Sequence, residues 1–231
     1  MFTSRSDEKE ILDLGPAFYT EEEFLDCQKK LFKINSWLGI FKDSCKLLEK
    51  WHRVKSVLDL GCGGGLFILH LSEKFPDIKF EGADIAADAI AIAKKELAQW
   101  KIKNPQTAVR FKVIDFEETQ ITEKVDMVIS TLVCHHLSEN EIIHFIKDAY
   151  KRASILVLIH DLQRSSIAYG LYALLAPILF RNRLITHDGL ISIKRGFTRK
   201  ELKRILIKTE IPYFQIKWKF PFRWEIMLWK A

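Results

Sequence analysis

The feature that most constrains this 231-residue chain is a glycine-rich segment directly after a short apolar run. The run at residues 56–60 predicts a buried parallel strand, and the apolar spacing in residues 66–74 predicts a helix. Gly61 and residues 63–65 lie between them. Glycine permits positive φ and lets a ligand approach the backbone without meeting a Cβ. The helix N-terminus offers free N–H groups, so this segment predicts a nucleotide-like cofactor site.

The spacing of these glycines separates the candidate cofactors. A dinucleotide fingerprint, Gly-x-Gly-x-x-Gly, needs a glycine where Leu66 stands. A phosphate-binding P-loop needs Lys and then Ser or Thr after its last glycine, and no such pair follows Gly65. Asp59, two residues before the first glycine, would repel a pyrophosphate but suits a ligand that carries an ammonium group. A nicotinamide-dependent oxidoreductase is therefore disfavoured.

The pattern Asp59-x-Gly61-x-Gly63-x-Gly65 resembles motif I of the class I S-adenosylmethionine (SAM)-dependent methyltransferases. Two predicted strands downstream agree with this resemblance. Residues 78–84 predict a strand that ends in Asp84, about 20 residues after the glycines, where an acid can accept hydrogen bonds from ribose hydroxyls. Residues 109–115 predict a third strand, which ends in Asp115.

The resemblance implies SAM as the cofactor and S-adenosylhomocysteine (SAH) as the product. It places Asp84 on the ribose, Ile85 beside the adenine and Asp115 near the adenine amino group. The other cofactor contacts that it implies are Asp59, Gly61, Cys62, Gly63, Gly65, Phe116 and Ser130.

The order of the predicted elements indicates an α/β fold. Alternating strands and helices specify a doubly wound, mostly parallel sheet with right-handed crossovers. The resemblance implies a Rossmann-like, seven-stranded sheet with a final antiparallel strand. Residues 1–52 are expected to form an N-terminal helical cap region, and residues 53–231 the methyltransferase domain. Within it, residues 162–196 form an insertion whose apolar centre is expected to be a lid, with core packing or membrane contact as alternatives.

Composition limits the binding partners and the cellular compartment that we expect. The net charge of +6 arises largely from residues 194–208, where Thr198-x-x-Glu201 is a capping box that opens an amphipathic helix. A solvated helix face is favoured over nucleic-acid or acidic-lipid contact, because aromatic residues do not interleave with the charges. Four cysteines without paired spacing indicate neither a disulfide framework nor a zinc knuckle. The start of the chain lacks a signal-peptide pattern, so a cytoplasmic location is expected.

Three histidines are candidate catalytic bases. Methyl transfer to a phenol or an acid requires loss of the acceptor's proton, and a histidine with a pKa near neutrality can remove it. His136 follows the fourth predicted strand (residues 125–130), His160 follows the fifth (residues 154–159), and His187 lies in the insertion. No metal site is predicted, because the sequence does not establish that histidines and acids cluster.

Further segments suggest a subgroup of the family. Lys33-Ile-Asn35, His160-Asp161-Leu162 and His187-Asp188-Gly189 resemble small bacterial methyltransferases of the ubiquinone/menaquinone-biosynthesis and natural-product type. The function that this implies is methyl transfer to a hydroxyl, or an activated carbon, of an apolar, aromatic or quinone-like small molecule. Two alternatives stay open. One is an RNA or protein methyltransferase that uses the basic 194–208 segment, and the other is a SAM-binding regulatory protein without turnover.

Overall fold

One mixed sheet organises the described part of the chain, residues 3–114 and 124–230 of a computed structural model. Its seven strands run in the order β3-β2-β1-β4-β5-β7-β6. Of these strands, β7 alone runs against the other six, and it pairs antiparallel with β5 and β6. The predicted α/β, doubly wound and mostly parallel sheet is therefore confirmed. The strands are β1 Ser56–Leu60, β2 Lys79–Asp84, β3 Val109–Val113, β4 Val125–Thr131, β5 Ala153–Leu162, β6 Phe214–Lys219 and β7 Arg223–Trp229.

Helices cover both faces of this sheet. On one face, α5 and α8 pack into an apolar cluster that includes Phe145 and Leu202. On the other face, α2, α3 and α4 pack into a second cluster that includes Leu48, Ile68 and Ile90. None of the helices within residues 3–114 and 124–230 combines the length and the hydropathy needed to cross a membrane. The helices are α1 Glu21–Trp37, α2 Ile40–Lys50, α3 Leu66–Lys74, α4 Ala87–Lys103, α5 Glu139–Arg152, α6 Ser166–Leu179, α7 Arg183–Arg195 and α8 Arg199–Lys208.

The two segments added to the minimal fold pack against each other. Cys27 of α1 belongs to a small apolar cluster with Ala176 of α6 and Leu184 of α7. By contrast, α2 lies in the main core beneath the sheet. The predicted cap of residues 1–52 therefore has two parts in space. Its first helix meets the insertion, and its second helix packs in the core beneath the sheet.

The turn between β1 and α3 is fixed by steric exclusion. Gly65 has φ +77°, and a Cβ built there would lie 2.4 Å from Cζ of Phe111 on β3. That distance is far inside van der Waals contact, and the backbone conformation is one that L side chains rarely adopt. The bare turn therefore lets α3 start directly against the sheet.

We expect Gly65→Ala to lower the free energy of unfolding by roughly 2 kcal/mol or more, because it combines left-handed strain with overpacking. Gly170→Ala is the matched control, since Gly170 lies in α6 and a Cβ added there would meet no atom within 4 Å. Alanine is the better helix former, so this control should gain up to about 1 kcal/mol. Urea unfolding without added ligand measures both. Equal effects of the two substitutions would contradict the packing of the turn.

Candidate active site

The glycine turn lies at the carboxyl ends of β1, β2 and β4. Gly61 has φ +80°, and a Cβ there would lie 2.3 Å from Cγ2 of Val133, which follows β4. Gly63 has φ +52°, and a Cβ there would lie 3.2 Å from Oε1 of Gln28, from α1. The same Gln28 oxygen accepts a hydrogen bond from the Gly64 N–H at 3.3 Å. The turn is thus held between the β4 loop and the N-terminal helix.

Asp59 presents an unsatisfied carboxylate oxygen at this turn. The side chain is buried, and its Oδ1 has no hydrogen-bond partner among the described residues. Burial, reinforced by the charge of Asp84, raises the pKa of Asp59 to about 7. Because a buried charge without a partner is costly, and because Asp59 lines a cavity, this oxygen is suited to a cationic group of a ligand.

Asp84 and Ile85 form the second part of the site. The Asp84 carboxylate accepts hydrogen bonds from the Gly63 N–H at 2.8 Å and from the Ala86 N–H at 3.0 Å. A carboxylate has about four acceptor positions, so two stay available to a ligand. Ile85 is 63% exposed although it is large and apolar, and it lines the same cavity. The pair therefore offers acceptors for hydroxyl groups beside an apolar platform.

The remaining predicted cofactor residues differ in whether they line the cavity. Cys62 is buried and lines the cavity. Ser130 is fully buried, and its hydroxyl donates to the Leu60 carbonyl at 2.8 Å, so it braces β4 against β1 and is not part of the cavity wall. Asp115 and Phe116 lie outside the described residues.

One cavity of about 1530 Å³ connects this turn with the two added segments. Ligand pockets usually measure about 300–1,000 Å³, so the space exceeds what one cofactor needs. At the cofactor end the wall includes Asp59, Gly61, Gly63, Asp84 and Ile85. At the far end the wall is largely apolar and includes Leu31, Phe32, Leu171, Tyr172, Leu175, Leu179, Phe180 and Leu184.

Helix α6 closes the far end of the cavity. Leu171, Leu175 and Leu179 contribute to its wall. Tyr172 donates its hydroxyl to the Ile185 carbonyl at 2.8 Å, which joins α6 to α7. Leu174, 66% exposed, lies outside the cavity wall. Of the three expectations for this segment, this position favours the lid.

The three candidate bases occupy different environments. His136 lines the cavity, and its Nδ1 lies 2.7 Å from Oδ1 of Asp13. His160 is fully buried away from the cavity wall, with its Nε2 3.2 Å from the Ser44 hydroxyl. Burial, together with the charge of Arg223, lowers the pKa of His160 to about 3. At neutral pH this imidazole is therefore a weak base for a substrate's proton.

His187 is half exposed and does not line the cavity. Its Nδ1 lies 2.8 Å from the Asp188 carboxylate. Asp188 is buried and also accepts hydrogen bonds from the N–H groups of Ile11 and Leu12. The pair therefore ties the N-terminal segment to α7. Among the three predicted histidines, the structure brings only His136 to the cavity.

Sequence reasoning missed the groups around His136. Glu10 is buried with its Oε1 3.6 Å from His135 Nε2 and its Oε2 3.9 Å from His136 Nε2. Burial is the main cause that raises the pKa of Glu10 to about 7. Asp161, at the end of β5, accepts from His135 Nδ1 at 2.8 Å. No local motif marks Glu10, because its partners lie more than a hundred positions further along the chain.

Sequence comparison identifies the central part of the chain. Residues 57–153 match the family described as methyltransferase domain. The malonyl-[acyl-carrier protein] O-methyltransferase of Bacillus cereus is 29% identical over 141 residues, which is 60% of this chain and 46% of that protein. The enzyme of the same name from Acetivibrio thermocellus is 32% identical over 74 residues, 32% of this chain and 24% of that protein. The chain thus spans less than half the length of these curated relatives.

Solved structures share the fold. The plantazolicin methyltransferase BpumL, crystallised with a triazolic desmethylPZN analogue and SAH, superposes with a TM-score of 0.70 at 15% identity, over 95% of this chain and 93% of that one. The magnesium protoporphyrin IX methyltransferase of Synechocystis, with bound SAH, superposes with a TM-score of 0.55 at 14% identity, over 98% of this chain and 90% of that one. Residues 57–153, which include the glycine turn, thus match the methyltransferase-domain family, and the described chain has the Rossmann-like fold of the SAM-dependent methyltransferases.

Proposed function

We propose that this chain transfers a methyl group from SAM to a hydroxyl, or an activated carbon, of an apolar small molecule, aromatic or quinone-like in shape. The observation that carries the proposal is the single cavity that runs from the glycine turn to the chamber under α6. It has room for a donor and an acceptor in contact. The residues at its two ends differ in polarity as those two ligands do.

The donor end fits SAM in three respects. The unpartnered Oδ1 of Asp59 suits the ammonium group of the methionine part. The two free acceptor positions of Asp84 suit the ribose hydroxyls, and the exposed Ile85 suits one face of the adenine. Gly61, Gly63 and Gly65 leave the backbone bare beside the ligand, while Cys62 adds to the wall. Asp115 and Phe116 keep their proposed roles beside the adenine.

The methyl transfer depends mainly on how the acceptor is positioned. SAM supplies a sulfonium methyl group, whose sulfur–carbon bond breaks as the bond to the acceptor forms, with the electron pair staying on sulfur. The chain's part is to hold the acceptor about 3 Å from the methyl carbon and to exclude water, the proposed task of the lid formed by α6 and α7. The proton of an acceptor hydroxyl leaves on the side of His136, the proposed base that lines the cavity. His160 and His187 do not reach the wall.

The basic helix α8 does not favour a nucleic-acid substrate. Arg204 and Lys208 both pair with Glu139 of α5, at 2.6 and 2.7 Å. Within residues 3–114 and 124–230, the cavity wall contains no residue of α8. The RNA or protein methyltransferase therefore stays a weaker alternative, as does a regulatory protein without turnover.

A carboxyl oxygen is a second candidate acceptor. The names of the curated relatives favour it, because these are O-methyltransferases of malonyl-[acyl-carrier protein]. A location in the cytoplasm is part of the proposal, since four free, buried cysteines suit a reducing compartment.

The pH dependence of SAM binding tests the role of Asp59. Its pKa is raised, so the side chain is neutral below about pH 7 and charged above it. An ammonium ligand prefers the charged form, so the affinity for SAM should rise as pH increases from 5.5 to 7, by up to about tenfold per pH unit. The α-amino group of SAM stays protonated over this range. Calorimetric titration measures the affinity, and the same titration with NAD should give no binding.

Asp59→Asn supplies the comparison for this experiment. The amide does not titrate, so the variant should bind SAM more weakly at pH 7 and with little change between pH 5.5 and 7. A variant with the same pH profile as the wild type would remove Asp59 from the account.

Turnover with defined acceptors tests the reaction. With labelled SAM, we expect methylation of apolar phenols or hydroquinones and none of tRNA; a malonyl thioester is included to test the carboxyl alternative. Leu171→Trp narrows the chamber and should lower kcat/KM for the acceptor by about tenfold with unchanged SAM affinity. Leu174→Trp is the matched control, because Leu174 lies on the same helix but outside the cavity wall.

Methylation of tRNA alone, or equal losses in the two tryptophan variants, would contradict the proposed acceptor chamber. SAM binding without turnover of any acceptor class would favour the regulatory alternative.

A further inference from the structure

We propose that Glu10, His135 and His136 form a binding site for a divalent first-row transition-metal ion in the cavity wall. The ion would bind the acceptor's oxygen. Glu10 comes from the N-terminal segment and the two consecutive histidines from the turn after β4, and their ligand atoms all lie within 4.8 Å of one another. The role of the ion rests on the proposed methyl transfer, whereas the site itself does not.

The distances fit a metal better than hydrogen bonds. The Nε2 atoms of His135 and His136 lie 3.6 and 3.9 Å from the two oxygens of Glu10, which is beyond hydrogen-bond range. Two ligand atoms at about 2.1 Å from a tetrahedral ion are about 3.4 Å apart. The three ligand atoms, one from each residue, all lie within 4.8 Å of one another. A local approach of these side chains by up to about 1.4 Å would therefore complete the coordination.

The second ring nitrogens are arranged as in known metal sites. His135 Nδ1 lies 2.8 Å from Asp161, and His136 Nδ1 lies 2.7 Å from Asp13. Each ring thereby donates its Nδ1–H to a carboxylate, which fixes the tautomer and leaves a lone pair on Nε2. Both lone pairs face the Glu10 carboxylate, so a cation must lie between these three electron-rich groups, either a proton or a metal.

The supports of the cluster are themselves rigid. Arg195 donates to the carbonyls of His135 and His136, and it pairs with Asp13. Arg5 donates to the His135 carbonyl from another side. Ser192 donates its hydroxyl to Glu10 Oε1 at 2.8 Å. The two imidazoles and the carboxylate are therefore held before any ligand arrives.

The open side of the cluster faces the proposed reaction. Glu10, His135 and His136 all line the cavity. Val133 occupies the space that a Cβ on Gly61 would need, so its loop touches the donor end. His135 comes two residues after Val133, and the cluster therefore lies in the same loop. Two imidazoles and one carboxylate leave a coordination position free. With an ion bound, His136 acts as a ligand and no longer as a free base, and an acceptor hydroxyl on the ion loses its proton to solvent as it binds, because the ion stabilises the oxyanion.

Metal binding is tested on the full chain after treatment with a chelator. Titration with Zn²⁺ should show one site per chain, and Co²⁺ should give visible absorption bands of a protein-bound ion. Glu10→Gln keeps the shape and the acceptor for Ser192, and it should weaken Zn²⁺ binding by roughly 100-fold or more, since losing even a supporting carboxylate costs 10–100-fold. Asp13→Asn should weaken it by roughly 10–100-fold. His52→Ala, an exposed histidine outside the cavity wall, should bind as the wild type does.

SAM affinity is measured on the same samples, with circular dichroism as the check on folding. We expect Zn²⁺ removal and Glu10→Gln to leave SAM affinity within about twofold. Absence of a stoichiometric site, or equal affinity for Zn²⁺ in wild type and Glu10→Gln, would overturn the metal site and identify the shared cation as a proton. Zn²⁺ binding without SAM binding would support the site and contradict the proposed function instead.

Discussion

The architecture of the site depends on two positions where a side chain has no space. Val133 and Phe111 occupy the volume that a Cβ would need at Gly61 and Gly65. These contacts bring the loop after β4 and the strand β3 onto the turn between β1 and α3. Because the turn is bare, a ligand can lie on the backbone, and because it is tightly packed, the surrounding side chains have fixed positions. The donor end is set by this packing, and the loop that leads to the histidine cluster lies against it.

Charge is distributed unevenly along the cavity. Asp59 and Asp84 concentrate negative potential at the donor end, where burial raises the pKa of Asp59 to about 7. The wall beneath α6 is mainly apolar. Between the two ends lie Glu10 and the paired histidines. This order suits a cationic donor, a polar reacting centre and an apolar acceptor body, which is the sequence of groups that methyl transfer requires.

Local patterns predicted much of the fold. The first strand and the helix after the glycines begin and end where their apolar spacing indicates, at Ser56–Leu60 and Leu66–Lys74. The capping box at Thr198 starts α8 as expected, with both of its hydrogen bonds formed. These features are readable because their interactions lie within a few residues of one another. The donor-end residues follow from the same motif.

The rest of the site depends on contacts between distant residues. Glu10 lies near His135 although more than a hundred positions separate them, and Gln28 of α1 contacts Gly64. Neither contact produces a local pattern in the sequence. Ser130 lies at the end of a strand, as a cofactor contact would, yet its hydroxyl is used by the Leu60 carbonyl. The sequence predicts His160 as a candidate base, but its side chain faces Ser44 inside the protein. Side-chain direction at strand ends depends on neighbouring strands, which a single sequence does not specify.

In the proposed reaction, one cavity receives the donor at the glycine turn and leaves the apolar chamber beyond it for the acceptor. A crystal structure of the chain with SAH tests this most directly. We expect the ribose hydroxyls at the Asp84 carboxylate, the adenine against Ile85, and the sulfur directed toward the His135–His136 turn. SAH bound elsewhere, or a glycine turn blocked by side chains with no ligand in it, would contradict the account.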